Sequence, residues 1–171
     1  REIEALGGVM GKIADKTALQ FRILNSSKGP GVQCLRVQSD KIEYSKAMRD
    51  AVLNEPGIEV VGKMVESIVV EDGKVNGITC KGDEFIAAKS VILTSGTYMS
   101  SKILQSDKVT ISGPEGDPTT NKLSESLRSL GLRTFRLKTG TPARVYTDSI
   151  DFSKTSIQEG DTRPYYFSNE T

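Results

Sequence analysis

VESIVVEDGKVNGITCKGDEFIAAKSVILTSGT, residues 65–97, decides the fold. Val65, Ile68, Val69 and Val70 make residues 65–70 a strand candidate that stops at Asp72-Gly73, the strongest short hairpin signal. Residues 75–80 read as the partner strand. Lys81-Gly82-Asp83 marks a second turn and 84–88 a third strand, so an antiparallel β-meander is expected. Residues 90–93, SVIL, form a short apolar strand that ends in the small-residue turn Thr94-Ser95-Gly96-Thr97. A strand ending in small residues lets backbone amides approach a ligand, as at the carboxyl ends of α/β sheets. A tight strand exit without a ligand reads equally from these residues.

Upstream, residues 2–19 place apolar side chains at helical spacing (Ile3, Leu6, Val9, Met10, Ile13), with Gly7, Gly8 and Gly11 weakening the helix. A strand is expected at 21–24 and an irregular Gly29-Pro30-Gly31 loop after it. The clearest helix covers 39–53, capped by Ser39 or Asp40 and stopped by Asn54-Glu55-Pro56-Gly57. Residues 58–61 read as a buried strand. Downstream, 106–121 read as an extended loop, 122–130 as a helix with the stripe Leu123, Leu127 and Leu130 stopped by Gly131, and 134–137 as a brief strand. The order of elements suits an α/β core carrying the meander. A division into 1–105 and a loop-rich 106–171 is expected.

The 171 residues carry 23 basic and 22 acidic side chains, a net charge of +1, so composition supports no strongly basic nucleic-acid surface. No run approaches a membrane span and no signal-peptide pattern opens the chain, which makes a soluble cytoplasmic protein the default expectation. Histidine is absent, so a histidine-based triad within these residues is excluded. Cys34 and Cys80 lack metal spacing. Glu115, Asp117 and Asp148 are broadly spaced and serve as well in turns, so no metal site is assigned. The chain opens REIEALGG and closes SNET, which leads to the expectation of a piece cut from a larger protein.

Two loops carry candidate ligand chemistry. SSKGPGV, 26–32, offers Lys28 and exposed amides around two glycines, without the spacing of a P-loop. RLKTGTPAR, 136–144, sets the cations Arg136, Lys138 and Arg144 beside the hydroxyls of Thr139 and Thr141, with Gly140 freeing the backbone and Pro142 stiffening the exit. Arg36, Gln38 and Asp40 alternate on one side of an extended segment. Each could meet a polar or anionic ligand, and each reads equally as a solvated turn or edge.

The blocks EALGG, FRILNSSKGPGV, RVQSDKIEYSKAMRDAVLN, SVILTSGT, GDPTT and RLKTGTPAR, in this order, closely resemble the N-terminal half of the MnmG/GidA family, flavoprotein subunits that modify the tRNA wobble uridine. The resemblance covers nearly the whole chain. Family members more often carry alanine at the position of Gly31 and often proline at that of Ala143. The resemblance implies a partial glutathione-reductase-like FAD-binding domain with the β-meander and an α/β insertion. It implies FAD contacts at Val65 and Thr120, the latter often serine in the family, with Gly96 and Thr97 as supporting candidates. Lys28, Arg36, Gln38, Lys138, Thr139, Gly140, Thr141 and Arg144 would line the flavin and substrate cavity. The implied reaction adds a carboxymethylaminomethyl or aminomethyl group at C5 of wobble uridine, using FAD, NADH and methylenetetrahydrofolate. The MnmE GTPase and tRNA are the implied partners, and the parent is expected to be a homodimer. Neither Cys34 nor Cys80 matches the family's catalytic cysteines, so no catalytic residue is assigned. The dinucleotide fingerprint GxGxxG is missing from these residues, and the chain alone is expected to bind FAD weakly or not at all and to be inactive. The rival readings are a non-catalytic α/β interaction module and part of another FAD oxidoreductase.

Overall fold

A computed structural model describes residues 2–162 and 165–171. The elements are α1 (Glu2–Ala5), α2 (Met10–Lys16), β1 (Ala18–Leu24), β2 (Cys34–Ser39), α3 (Lys41–Leu53), β3 (Val65–Glu71), β4 (Lys74–Cys80), β5 (Glu84–Ala87), β6 (Ile103–Gln105), β7 (Lys108–Thr110) and α4 (Lys122–Ser129). They gather into two compact units, Arg1–Val60 with Ala143–Thr171, and Val61–Pro142. The units interleave along the chain, whereas the sequence reading divides it once, after residue 105.

In the first unit the expected opening helix is two short ones. Gly7 turns the chain at φ +87°, its amide donates to Glu4 O at 2.8 Å, and the Gly8 amide donates to Ile3 O at 2.8 Å. This paired closure ends α1 and makes Gly8 obligatory, since a Cβ there would lie 2.4 Å from the Ile3 side chain. The expected short strand begins earlier, at Ala18, and β1 pairs antiparallel with β2 (Phe21 opposite Val37, Ile23 opposite Leu35). Asp40 caps α3, its carboxylate accepting from the amides of Ile42 and Glu43. Packed against β2 and α3, α2 contributes the buried Ile13.

The end of the chain returns to this unit. The Asp15 carboxylate, 6% exposed, accepts from the amides of Phe167 at 3.0 Å and Ser168 at 2.8 Å. Glu4 accepts from the Ser168 hydroxyl and the Asn169 amide, Lys12 pairs with Glu170 at 2.7 Å, and the Phe21 and Tyr166 rings meet edge to face at 5.2 Å. Donation by the Ser168 hydroxyl holds the Glu4 carboxyl below its ordinary range.

In the second unit the meander forms as expected, in the order β3-β4-β5. Asp72 and Gly73 both take positive φ, +50° and +73°, the signature of the turn that suits a right-twisted hairpin. Against β3 packs α4, which buries Leu123 and Leu127 beside a sheet that buries Cys80. Gly131, at φ +83°, stops α4, and the Leu132 amide donates back to Leu127 O. Leu130, the third residue of the expected stripe, is 40% exposed.

Four expectations are corrected. Residues 58–61, 90–93 and 134–137 are irregular and form no strand, because no described segment pairs with them to complete a ladder. Their side chains are correspondingly open, with Ile92 88% and Phe135 80% exposed. The region expected as an extended loop instead holds part of the β6–β7 hairpin, turning at Ser106 with φ +53°. Ser106-Asp107 lacks the glycine by which such turns are recognised.

Two predictions follow from the return of the chain end. Asp15→Ala strips two amides of their acceptor and should lower stability by about 2 kcal/mol in urea titration. The Glu4 carboxyl has a lowered folded-state value, so its contribution is present above the ordinary glutamate range and lost as pH falls through that lowered value. Glu4→Gln should therefore flatten the pH dependence of stability at and below roughly pH 4, read from thermal midpoints.

Candidate functional site

In the second unit, β3 is held by β4 on one side and by the α4 segment on the other. The Thr120 hydroxyl donates to Val65 O at 3.1 Å, the Ile68 amide donates to Ser126 Oγ at 3.1 Å, and Lys122 pairs with Glu66 at 2.7 Å. Val65 and Thr120 are 55 residues apart in sequence and directly bonded in the fold.

Thr120 also joins the residues that follow the Thr94–Thr97 turn. Met99 and Thr120 form a parallel bridge, in which the Thr120 amide donates to Tyr98 O at 3.0 Å and the Ser100 amide donates to Thr120 O at 2.9 Å. The turn is closed by the Tyr98 amide donating to Ser95 O, with Gly96 at φ +54°. Among the described residues no hydrogen bond occupies the amides of Gly96 or Thr97, and both residues are exposed. Thr120 thus forms a junction, bonding both to Val65 and to the residues that follow the turn holding the exposed Gly96 and Thr97.

Hydroxyl groups brace this junction. Thr119 Oγ1 accepts from the Ser101 amide at 2.7 Å and donates to Tyr98 O at 2.7 Å. Ser101 Oγ donates to Ser112 O at 2.9 Å, and Ser100 Oγ donates to Ser124 Oγ at 2.9 Å. Gly113 lies so close that a Cβ would stand 2.6 Å from the Tyr98 ring. Sequence reasoning missed Tyr98, Ser100, Ser101, Thr119 and Ser126. Their only signal was a richness in hydroxyl residues, which names no partner.

Arg136 reaches the same junction, donating from Nη1 to Ser100 O at 2.9 Å. The rest of RLKTGTPAR is exposed and irregular from Leu137 to Arg144. Lys138, Thr139, Gly140 and Thr141 lie in the second unit, and Arg144 in the first.

The remaining candidates also belong to the first unit. Arg36 and Gln38 lie on the exposed face of β2, and Arg36 donates to Gln20 Oε1 at 3.3 Å. Asp40 serves as the α3 cap. Lys28 lies exposed in a loop that its own side chains hold: Asn25 donates to Val32 O at 3.0 Å, and Gln33 donates to Lys28 O at 3.1 Å. Beside this loop opens a shallow cleft of about 640 Å³, lined by Ile23, Ser26, Pro30, Gln33, Leu35 and Asp161 among others. Cys34 lies on its wall as an exposed free thiol. Among the described residues no three acidic or cysteine side chains gather as a metal site, and no helix is long and apolar enough to cross a membrane.

Comparison with known proteins adds a family. The profile of glucose inhibited division protein A matches residues 1–171. The tRNA uridine 5-carboxymethylaminomethyl modification enzyme MnmG of Bacillus subtilis is 46% identical over 171 residues, covering 100% of this chain and 27% of the relative. The enzyme of the same name from Desulfitobacterium hafniense is 47% identical over 168 residues, covering 98% and 26%. A crystal structure of Aquifex aeolicus GidA superposes with a TM-score of 0.92 at 37% identity, covering 99% of this chain and 28% of that one. The chain therefore has the fold of the corresponding part of GidA and spans about a quarter of the length of these relatives.

The Thr120–Val65 bond yields a paired test. Thr120→Val removes the donor and should cost about 1 kcal/mol in urea titration, whereas Thr120→Ser keeps the hydroxyl and should stay within about 0.5 kcal/mol of the parent.

Proposed function

The chain belongs to the glucose inhibited division protein A family, and from that premise we propose that it forms one side of the flavin site in a tRNA-modifying enzyme. The whole enzyme adds a carboxymethylaminomethyl or aminomethyl group at C5 of wobble uridine. It works in the cytoplasm as a homodimer, with the MnmE GTPase as partner, tRNA as substrate, and NADH and methylenetetrahydrofolate as co-substrates. The observation that carries this reading is the length of the similarity, which runs through the whole chain rather than through one motif.

The residues present fit an edge of FAD. The amides of Gly96 and Thr97, in no hydrogen bond among the described residues, offer adjacent donors to a ribose or adenine acceptor, and the Thr97 hydroxyl offers a donor and an acceptor. Val65 and Thr120 act together: the hydroxyl of Thr120 donates to Val65 O, so the pair shapes this edge as a unit. The residues do not fit the pyrophosphate. That group needs a glycine-rich strand-to-helix turn, and the N-terminus of α3 is already closed by the Asp40 carboxylate. Bound FAD supplies the redox chemistry, and protein groups orient it. In the first unit, Lys28, Arg36 and Gln38 offer exposed polar side chains suited to a polar substrate. From RLKTGTPAR, Lys138 and Arg144 offer cations, Thr139 and Thr141 offer hydroxyls, and Gly140 permits close backbone approach.

By this reading the chain alone modifies no tRNA and retains no stoichiometric flavin. The purified chain, incubated with FAD and passed through gel filtration, should emerge without the absorption of bound flavin. A tightly held flavin in that fraction would sink the division of labour proposed here.

A further inference from the structure

We propose that Asp161 is a positioning residue for the SSKGPGV loop, standing in for the missing third strand on the outer edge of β1. The inference deepens the proposed function and rests on it where it concerns substrate.

The edge of β1 away from β2 presents two backbone groups in the span before the loop, Phe21 O and the Ile23 amide. Asp161 meets both. Its own amide donates to Phe21 O at 2.9 Å, and its Oδ2 accepts from the Ile23 amide at 2.7 Å. A neighbouring strand would offer an amide and a carbonyl here, so Asp161 replaces the carbonyl with a carboxylate oxygen. A charged acceptor at this distance makes a stronger bond than a carbonyl would.

Neighbouring residues hold Asp161 in register. The side chain of Gln20 donates to Gln158 O at 2.9 Å and that of Arg22 to Glu159 O at 3.0 Å. Gly160 packs so closely that a Cβ would stand 3.0 Å from Gln20 Cγ and 3.2 Å from Phe21 O. Two residues beyond Ile23 the chain enters the loop through Asn25, at φ +58°. The loop is stiff within itself, because Asn25 and Gln33 bridge it. Its direction therefore depends on how the ends of β1 and β2 are held. Asp161 fixes β1 at Ile23 and also lines the cleft beside the loop. A group that holds Ile23 in place and lines the cleft beside it helps set the opening offered to a polar heterocycle. Asp161 acts through Ile23 and the loop.

The test uses the gene product that carries these residues, with two variants. Asp161→Ala removes the acceptor, while Asp161→Asn keeps an oxygen in its place. The first readout needs no ligand: the rate of tryptic cleavage after Lys28, followed by mass spectrometry. Asp161→Ala should raise it about tenfold, with Asp161→Asn within about threefold of the parent. The second is a split in steady-state kinetics, in which Asp161→Ala raises KM for tRNA at least as much as it lowers kcat, and Asp161→Asn restores both. Equal cleavage rates in the parent and Asp161→Ala overturn the proposal. Faster cleavage with unchanged KM also overturns it, by leaving Asp161 a purely structural clamp. A parent protein that neither binds flavin nor modifies tRNA defeats the proposed function, and the cleavage rates then decide the role of Asp161 alone.

Discussion

A β-strand that lacks a neighbour must still satisfy its outward amides and carbonyls, and this requirement organises both units. In the second unit, the edge of β3 is closed by the hydroxyls of Thr120 and Ser126, which take one carbonyl and one amide. In the first, the edge of β1 is closed by Asp161, and the returning chain end by Asp15. Four side chains thus do the work of ladder partners. Thr120, Ser126 and Asp161 each meet one backbone group through the side chain and Asp15 meets two adjacent amides, so each fixes position as well as satisfying a bond.

The same requirement explains which strands were legible. The meander was readable because both partners of each pair lie close in sequence and the Asp72-Gly73 turn announces the pairing. Residues 58–61, 90–93 and 134–137 have strand composition, yet composition specifies only a readiness to pair. Without an adjacent partner among the described residues they remain irregular, and most of their apolar side chains stay exposed. The opening helix failed for a local reason: Gly7 at positive φ gives the chain an exit that the apolar period does not encode. Capping by Asp40 and the stop at Gly131 were readable because those signals are short-range.

The candidate site divides in the same way. Resemblance to the MnmG/GidA family picked out Val65 and Thr120, and the fold adds a physical connection that no sequence spacing reveals. The bond also alters what Thr120 can offer. Its hydroxyl hydrogen is directed to Val65 O, so substitution by serine preserves the geometry while substitution by valine does not. Asp15 and Asp161 gave no signal at all. An aspartate that accepts amides from the far end of the chain looks, in sequence, like any solvated carboxylate.

A thin core sets the final constraint. Among the described residues only Ile13, Cys80, Leu123 and Leu127 are buried apolar side chains, too few to hold either unit by burial alone. Polar clamps then carry a larger share of the organisation than in a well-buried domain. Such clamps are directional, and they lose most of their value when geometry shifts by a fraction of an ångström. The junction tied by the Thr120–Val65 bond is therefore well defined in shape but weakly supported in energy. Surface laid against the open segments at 58–61, 90–93 and 134–137 would bury the apolar side chains that these segments expose, and burial of that kind is what the polar clamps lack.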